Sequence, residues 1–196
     1  MVAWAQELQV GTWFTLDHNG SSNQVQYAWH SERKQLHLFA ATDGSSGAGG
    51  AALSLIGSNG TLINGGAIAG GLAGNGGPRA SAVEITGNNN LLELRGGYSF
   101  TGNVLVVSGS GNTLALGGGV DAAIDVTGLN GSGQFQGFAN FLKYGSSQWT
   151  LTGTTSATTA WNVTGAALYI NADGALEAAA GDLTLDAGTL RTGPTF

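Results

Sequence analysis

Cysteine is absent from the 196 residues, proline occurs twice, and lysine and arginine together number six. Without cysteine there can be no disulfide, no thiolate metal ligand and no cysteine nucleophile. Six cations in no cluster, a net charge of -6 and a pI near 4.7 leave little to hold a phosphate backbone, so no nucleic-acid partner is expected. Charged residues make up 9 % of the chain, against roughly 25 % in an average domain. Hydrophobic residues still reach 42 %, so the low charge is not the signature of a disordered chain. No apolar run approaches the roughly 18 residues of a membrane-spanning helix, and no transmembrane segment is expected. Ala3-Trp4-Ala5 looks like a signal-peptide cleavage site, but no basic and then apolar stretch precedes it, so an export signal is expected to be missing.

What the chain has in excess is glycine, 35 residues, and its distribution divides the sequence. Only three of the 35 lie in residues 1–46, which hold all three histidines (His18, His30, His37), three of the five tryptophans and six of the eighteen charges. The boundary is read at the Gly/Ser-rich stretch Asp43 to Gly50. Two domains are expected, a short antiparallel β segment over 1–46 and a second domain over 47–196.

In the first, Gly11 to Leu16 is followed by Asp17-His18-Asn19-Gly20, and Asn-Gly between apolar runs predicts a hairpin. Val25 to His30 alternates with period two, and Ser31 to Lys34 turns the chain into Gln35 to Phe39. The three strands form a small meander, similar to the start of a small barrel domain in some large cytoplasmic bacterial proteins.

From Gly47 onward, apolar runs of three to five residues recur about every ten, separated by Gly with Asn, Asp or Ser. Leu53 to Ile56, Leu91 to Leu94, Val104 to Val107, Thr113 to Leu116 and Trp149 to Leu151 are examples. Runs this short suit stacked coils better than a two-faced sandwich. The expected fold class is all-β, a right-handed parallel β-helix (a solenoid with three short strands per coil) preceded by the antiparallel meander. About 20 residues per coil would give roughly seven coils. Gln134 to Gly153 collects Phe135, Phe138, Phe141, Tyr144 and Trp149 in one window, which predicts a core or capping role for these rings.

Three stretches resemble bacterial autotransporter passengers. Gly60 to Gly71 looks like their Gly-Thr-Ile-Ser-Gly-Gly coils, and Asn90 to Val104 like their Asn-Thr-Leu-Glu-Leu coil. Gln136 to Thr154 is similar to the passenger-associated repeat near the C-terminal end of such passengers. The resemblance covers about 47–196. It implies a non-catalytic β-helical segment of a type V secretion product, displayed at the bacterial outer membrane and cell surface or released. Folding of the segment would drive export, and the segment would adhere to a host or cell-surface ligand. Its implied partner is its own C-terminal outer-membrane barrel, which is absent from this chain, so the sequence reads as a fragment or fusion. The lack of cysteine suits a chain that crosses an envelope unfolded.

The alternative is a β-helix polysaccharide-degrading enzyme or a carbohydrate-binding module. Paired carboxylates of the kind glycoside hydrolysis needs exist in Asp121 with Asp125 and Glu84 with Glu93, and parity turns Asp125 and Glu93 outward. Outward acids also serve solubility. Asn112 stands where a calcium-binding nonapeptide repeat requires Asp, and Gly74-Asn75-Gly76-Gly77 lacks the Lys of a phosphate loop. The histidines all precede residue 46, outside the expected β-helix, in strand or turn positions that more often hold exposed or packed side chains than the base of a Ser-His-Asp site. No enzyme activity is expected, no residue is assigned a catalytic, cofactor-binding or metal-binding role, and no cofactor is implied.

Overall fold

Glycines with positive φ punctuate the strands. Gly57, Gly87 and Gly109 each end one, and a Cβ on Gly87 or Gly109 would strike the carbonyl of the glycine one pass earlier. Only a residue without a side chain can turn so close to its neighbour. In the computed structural model, residues 9, 12–18, 21–30, 37–41, 49–73, 77–172, 174–176 and 182–193 are described. The chain divides into two compact units, one of Met1–Ala48 with Ala73–Gly77 and one of Gly49–Leu72 with Pro78–Phe196.

The first unit holds β1 (Trp13–His18), β2 (Ser21–His30) and β3 (His37–Ala41) in a three-stranded sheet of that order. Both pairs are antiparallel, His18 standing opposite Ser21 and His30 opposite His37, with a register shift between Tyr27 and Trp29. The predicted turns at Asn19-Gly20 and Ser31 to Lys34 lie outside the described residues, as do Ala3-Trp4-Ala5, Asp43 to Ala48 and residues 74–76.

In the second unit every ladder is parallel. One sheet runs β13 (Phe135–Gln136), β10 (Val104–Ser108), β7 (Val83–Thr86), β4 (Leu53–Ile56). A second runs β18 (Thr184–Leu185), β16 (Trp161–Val163), β14 (Asn140–Lys143), β11 (Thr113–Leu116), β8 (Leu91–Leu94), β5 (Thr61–Asn64). A third runs β12 (Ala122–Asp125), β15 (Trp149–Thr152), β17 (Ala167–Ile170), β19 (Thr189–Thr192). The fourth is only β6 (Ala67–Ala69) with β9 (Ser99–Thr101).

The expected right-handed parallel β-helix with three short strands per coil is corrected by this arrangement. The parallel strands fall into separate sheets of four, six, four and two members rather than three matched faces. Along the six-stranded sheet, Thr61↔Leu91, Leu91↔Thr113, Thr113↔Asn140, Phe141↔Trp161 and Asn162↔Thr184 are steps of 30, 22, 27, 20 and 22 residues, so no single 20-residue repeat runs through it. The physical cause is what lies within the long steps. One contains residues 70–82, and another contains the 3-10 turn Val126–Leu129 capped by Asp125, whose carboxylate accepts from Thr127 N at 2.9 Å. The two-stranded and four-stranded sheets do not join. Beside that break Tyr98 hydrogen-bonds Ala123 O through its hydroxyl at 3.2 Å, so β12 is met by a side chain rather than by β9.

Leucine, isoleucine and valine at alternate positions face a common interior. Val83, Ile85, Leu92, Leu94, Val104, Leu114, Leu116, Ile124 and Leu151 are all fully buried. Into the same core go Phe135, Phe141 and Trp149 of the aromatic window, with Phe138 half-buried against them. Trp161 follows one strand later, its ring 5.3 Å from that of Phe141.

Between the first two sheets the corner is built from asparagine. Asn90 Oδ1 accepts from Gly60 N at 2.8 Å, and its Nδ2 donates to Gly57 O at 2.9 Å. One pass later Asn112 repeats the pattern, accepting from Asn90 N at 2.9 Å and donating to Gly87 O at 3.0 Å. Both side chains are buried, and they satisfy backbone groups that the change of sheet strips from the ladders.

Candidate functional site

Two clusters of polar side chains stand out in the second unit, one buried and one open. The buried cluster grows from β8 and β14. Glu93 lies between Leu92 and Leu94, so parity does turn it away from the core. It is nevertheless only 2 % exposed, which corrects the expectation of a solvated outward acid. Arg95 folds back over it, with Nε 2.8 Å and Nη2 3.4 Å from the two carboxylate oxygens. Burial alone would raise the Glu93 pKa, but hydrogen bonds from Arg95 and Tyr144 and the guanidinium charge outweigh it and hold the carboxyl below its ordinary value. Its partner Arg95 is pushed further up by the same pairing. The Tyr144 hydroxyl is raised to about 12, first by burial and then by Glu93.

Lys143 belongs to the inward row Leu94, Leu116, Lys143, Val163 and is wholly buried. Its Nζ donates to Tyr144 O at 2.9 Å and Gly165 O at 3.2 Å. Desolvation lowers its pKa, the charge of Asp121 pulling the other way. A carboxylate already bound to a guanidinium and an ammonium held by two carbonyls are committed to structure. Neither is free to act as a base or nucleophile.

The open cluster lies on the outward face of the β12–β15–β17–β19 sheet. Register alone assembles it: Ala123, Thr150, Tyr169 and Arg191 form one cross-strand row, with Trp149, Leu151 and Leu168 turned to the core between them. Arg191 lies 5.9 Å from the Tyr169 ring centroid and donates to the Tyr169 hydroxyl at 3.3 Å, so the ring and the guanidinium hold each other. On one side of this pair is a cavity of about 240 Å³ lined by Asp121, Ala122, Gln148, Thr150, Tyr169 and Asn171. On the other is a hollow of about 350 Å³ lined by Ser146, Gln148, Thr189 and Arg191. Gln148 lines both, with Tyr169 bordering the first and Arg191 the second, and this pair of adjoining hollows is the groove. Asp121 accepts from Gln148 N at 2.7 Å, and the Asn171 Oδ1 is buried without a hydrogen-bond partner among the described residues.

The carboxylates singled out in the sequence are not brought together as a pair. Asp121 lines the groove, Asp125 caps the 3-10 turn, Glu93 is bound to Arg95, and Glu84 lies in β7 opposite Ser54 and Leu105. Among the described residues no group of three or more His, Asp or Glu side chains is placed to hold a metal ion. The Asn112 amide is spent on the backbone. None of Gln148, Tyr169, Asn171 and Arg191 was singled out from the sequence; the one signal was their outward parity in short strands whose alignment was not yet known.

Comparison with known proteins bears on the other end of the chain. Residues 1–48 match the model of the C-terminal tudor domain of a protein family of unknown function (DUF1631). No curated protein matches the chain, and no solved structure does. No helix among the described residues is long and apolar enough to cross a membrane.

Proposed function

We propose that residues 47–196 are a non-catalytic segment of an autotransporter passenger, displayed on the bacterial cell surface after export through the outer-membrane barrel that serves such passengers. The single observation that supports this reading is the aromatic window. Phe135, Phe141 and Trp149 are buried together in the later part of the parallel stack, and Trp149 Nε1 is tied to Gly117 O and Ser147 Oγ, both at 3.1 Å. A well-packed block late in the chain suits a polypeptide whose C-terminal end emerges first, because it can fold outside the cell, template the earlier strands and oppose back-sliding. Parallel ladders suit such templating, since each new strand finds its register on the last. The groove has the chemistry of an adhesive contact with a host or cell-surface ligand. Its lining includes one carboxylate, where hydrolysis of a glycosidic bond would use two.

Deleting Gly137 to Gly153 tests the reading. Protease protection of residues 53–116 is expected to collapse, and in a fusion to an outer-membrane barrel the truncated segment is expected to stall during translocation. Unchanged protection and unchanged surface exposure would overturn it.

A further inference from the structure

We infer that the groove around Tyr169 and Arg191 binds an acidic glycan, a short oligosaccharide that carries a carboxylate. The inference rests on the reading of this segment as a displayed, non-catalytic one and names its ligand class.

The chemistry of the lining carries the argument. Asp121, Gln148, Thr150 and Asn171 supply acceptors, amide donors and a hydroxyl within one small concavity. Sugar hydroxyls, each both donor and acceptor, demand this mixture. Tyr169 and Ala122 add an apolar surface against which the C–H face of a pyranose can rest. Sites for drug-sized ligands span about 300–1,000 Å³, so hollows of about 240 and 350 Å³ each suit one ring rather than a larger ligand.

Arg191 sets the charge. Its guanidinium is exposed and borders the second hollow, and Tyr169 restrains it from the other side. A planar fork held in place before the ligand arrives is suited to a carboxylate, which it can meet with two parallel hydrogen bonds.

Saturation-transfer NMR on the full chain would test this with two acidic probes, 3′-sialyllactose and a hyaluronan tetrasaccharide, and with lactose as the neutral partner of the first. At least one acidic probe is expected to bind with millimolar or tighter Kd, and lactose at least tenfold more weakly than 3′-sialyllactose. Arg191→Gln and Arg191→Lys should each weaken binding of the acidic probe about tenfold, the lysine because it keeps the charge but loses the fork. Tyr169→Ala should weaken it by a similar factor. Arg191 is exposed, so its variants are expected to keep the wild-type CD spectrum and protease pattern. No binding of either acidic probe, equal binding of lactose, or binding indifferent to Arg191 would each overturn the inference. Those results would leave the proposed export role standing, because that role is read from protection and translocation rather than from glycan binding.

Discussion

Trp149 and Trp161 are both buried, 0 % and 1 % exposed, in the same core, yet their indole nitrogens differ. Trp149 Nε1 donates to Gly117 O and Ser147 Oγ, whereas Trp161 Nε1 has no partner among the described residues. Replacing each by phenylalanine therefore separates packing from hydrogen bonding. The smaller ring leaves a similar void at both sites, costing on the order of 1 kcal/mol at ~24 cal/mol per Å³. At Trp149 the change also removes a buried hydrogen bond worth about 1 kcal/mol, although Gly117 O keeps Ser147 Oγ at 3.0 Å. At Trp161 the change removes an unsatisfied N–H whose burial costs about 1–3 kcal/mol. Trp149→Phe should thus destabilise by about 2 kcal/mol, while Trp161→Phe should range from neutral to about 2 kcal/mol stabilising, a gap of at least about 2 kcal/mol or thirtyfold in the folding constant. Urea melts followed by far-UV CD would read this as a shift in midpoint at constant m-value. Equal losses in the two variants, or a larger loss for Trp161→Phe, would refute the reasoning and mean that ring volume alone decides.

Three further outcomes are expected. Glu93 is held below its ordinary pKa, so its contribution is complete above about pH 4.5 and is lost as pH falls through the folded-state value. Acid titration of the urea midpoint should show this loss, and Arg95→Met should reduce it. At the alkaline end, burial lowers the Lys143 pKa, so stability should rise as pH climbs toward the unfolded value near 10.4 and the charge penalty is relieved. Tyr98 and Tyr144, both pushed up mainly by burial to about 12, then reverse the trend, and stability should fall between about pH 10 and 12. A maximum near pH 10, with the rise abolished by Lys143→Met, is the expected midpoint curve. Asn112→Ala strips partners from the buried Asn90 N and the part-buried Gly87 O and should cost about 2–6 kcal/mol in the same melts, at about 1–3 kcal/mol for each group.

The burial of Trp149 was legible in the sequence, because large rings crowded into a glycine-punctuated region have few places to go but the core. Strand positions were legible wherever a leucine- or valine-rich run stood between glycines, as at Leu91–Leu94 and Thr113–Leu116. Ala67–Ala69 and Ser99–Thr101 were missed, since small or polar residues carry no such pattern and pair only because a neighbouring strand offers a ladder. The uniform coil failed for a related reason: local spacing cannot reveal that steps of 30 and 27 residues contain long connections whereas a step of 20 does not. Parity gave the direction of Glu93 but not its burial, which comes from Arg95 two residues on and Tyr144 in a later pass. The groove was invisible for the same cause. Gln148, Tyr169 and Arg191 become neighbours only through register between strands that are not contiguous in the chain.

The unequal steps between paired strands also govern how such a chain can change length over generations. Within β11 a single inserted residue would turn the row of Leu114 and Leu116 from core to solvent against two fixed neighbours, β8 and β14. The same insertion near Asn130-Gly131, in the connection after the 3-10 turn, leaves every ladder aligned. Descendants of this sequence should therefore gain or lose material in whole strands within the sheets and residue by residue in the connections.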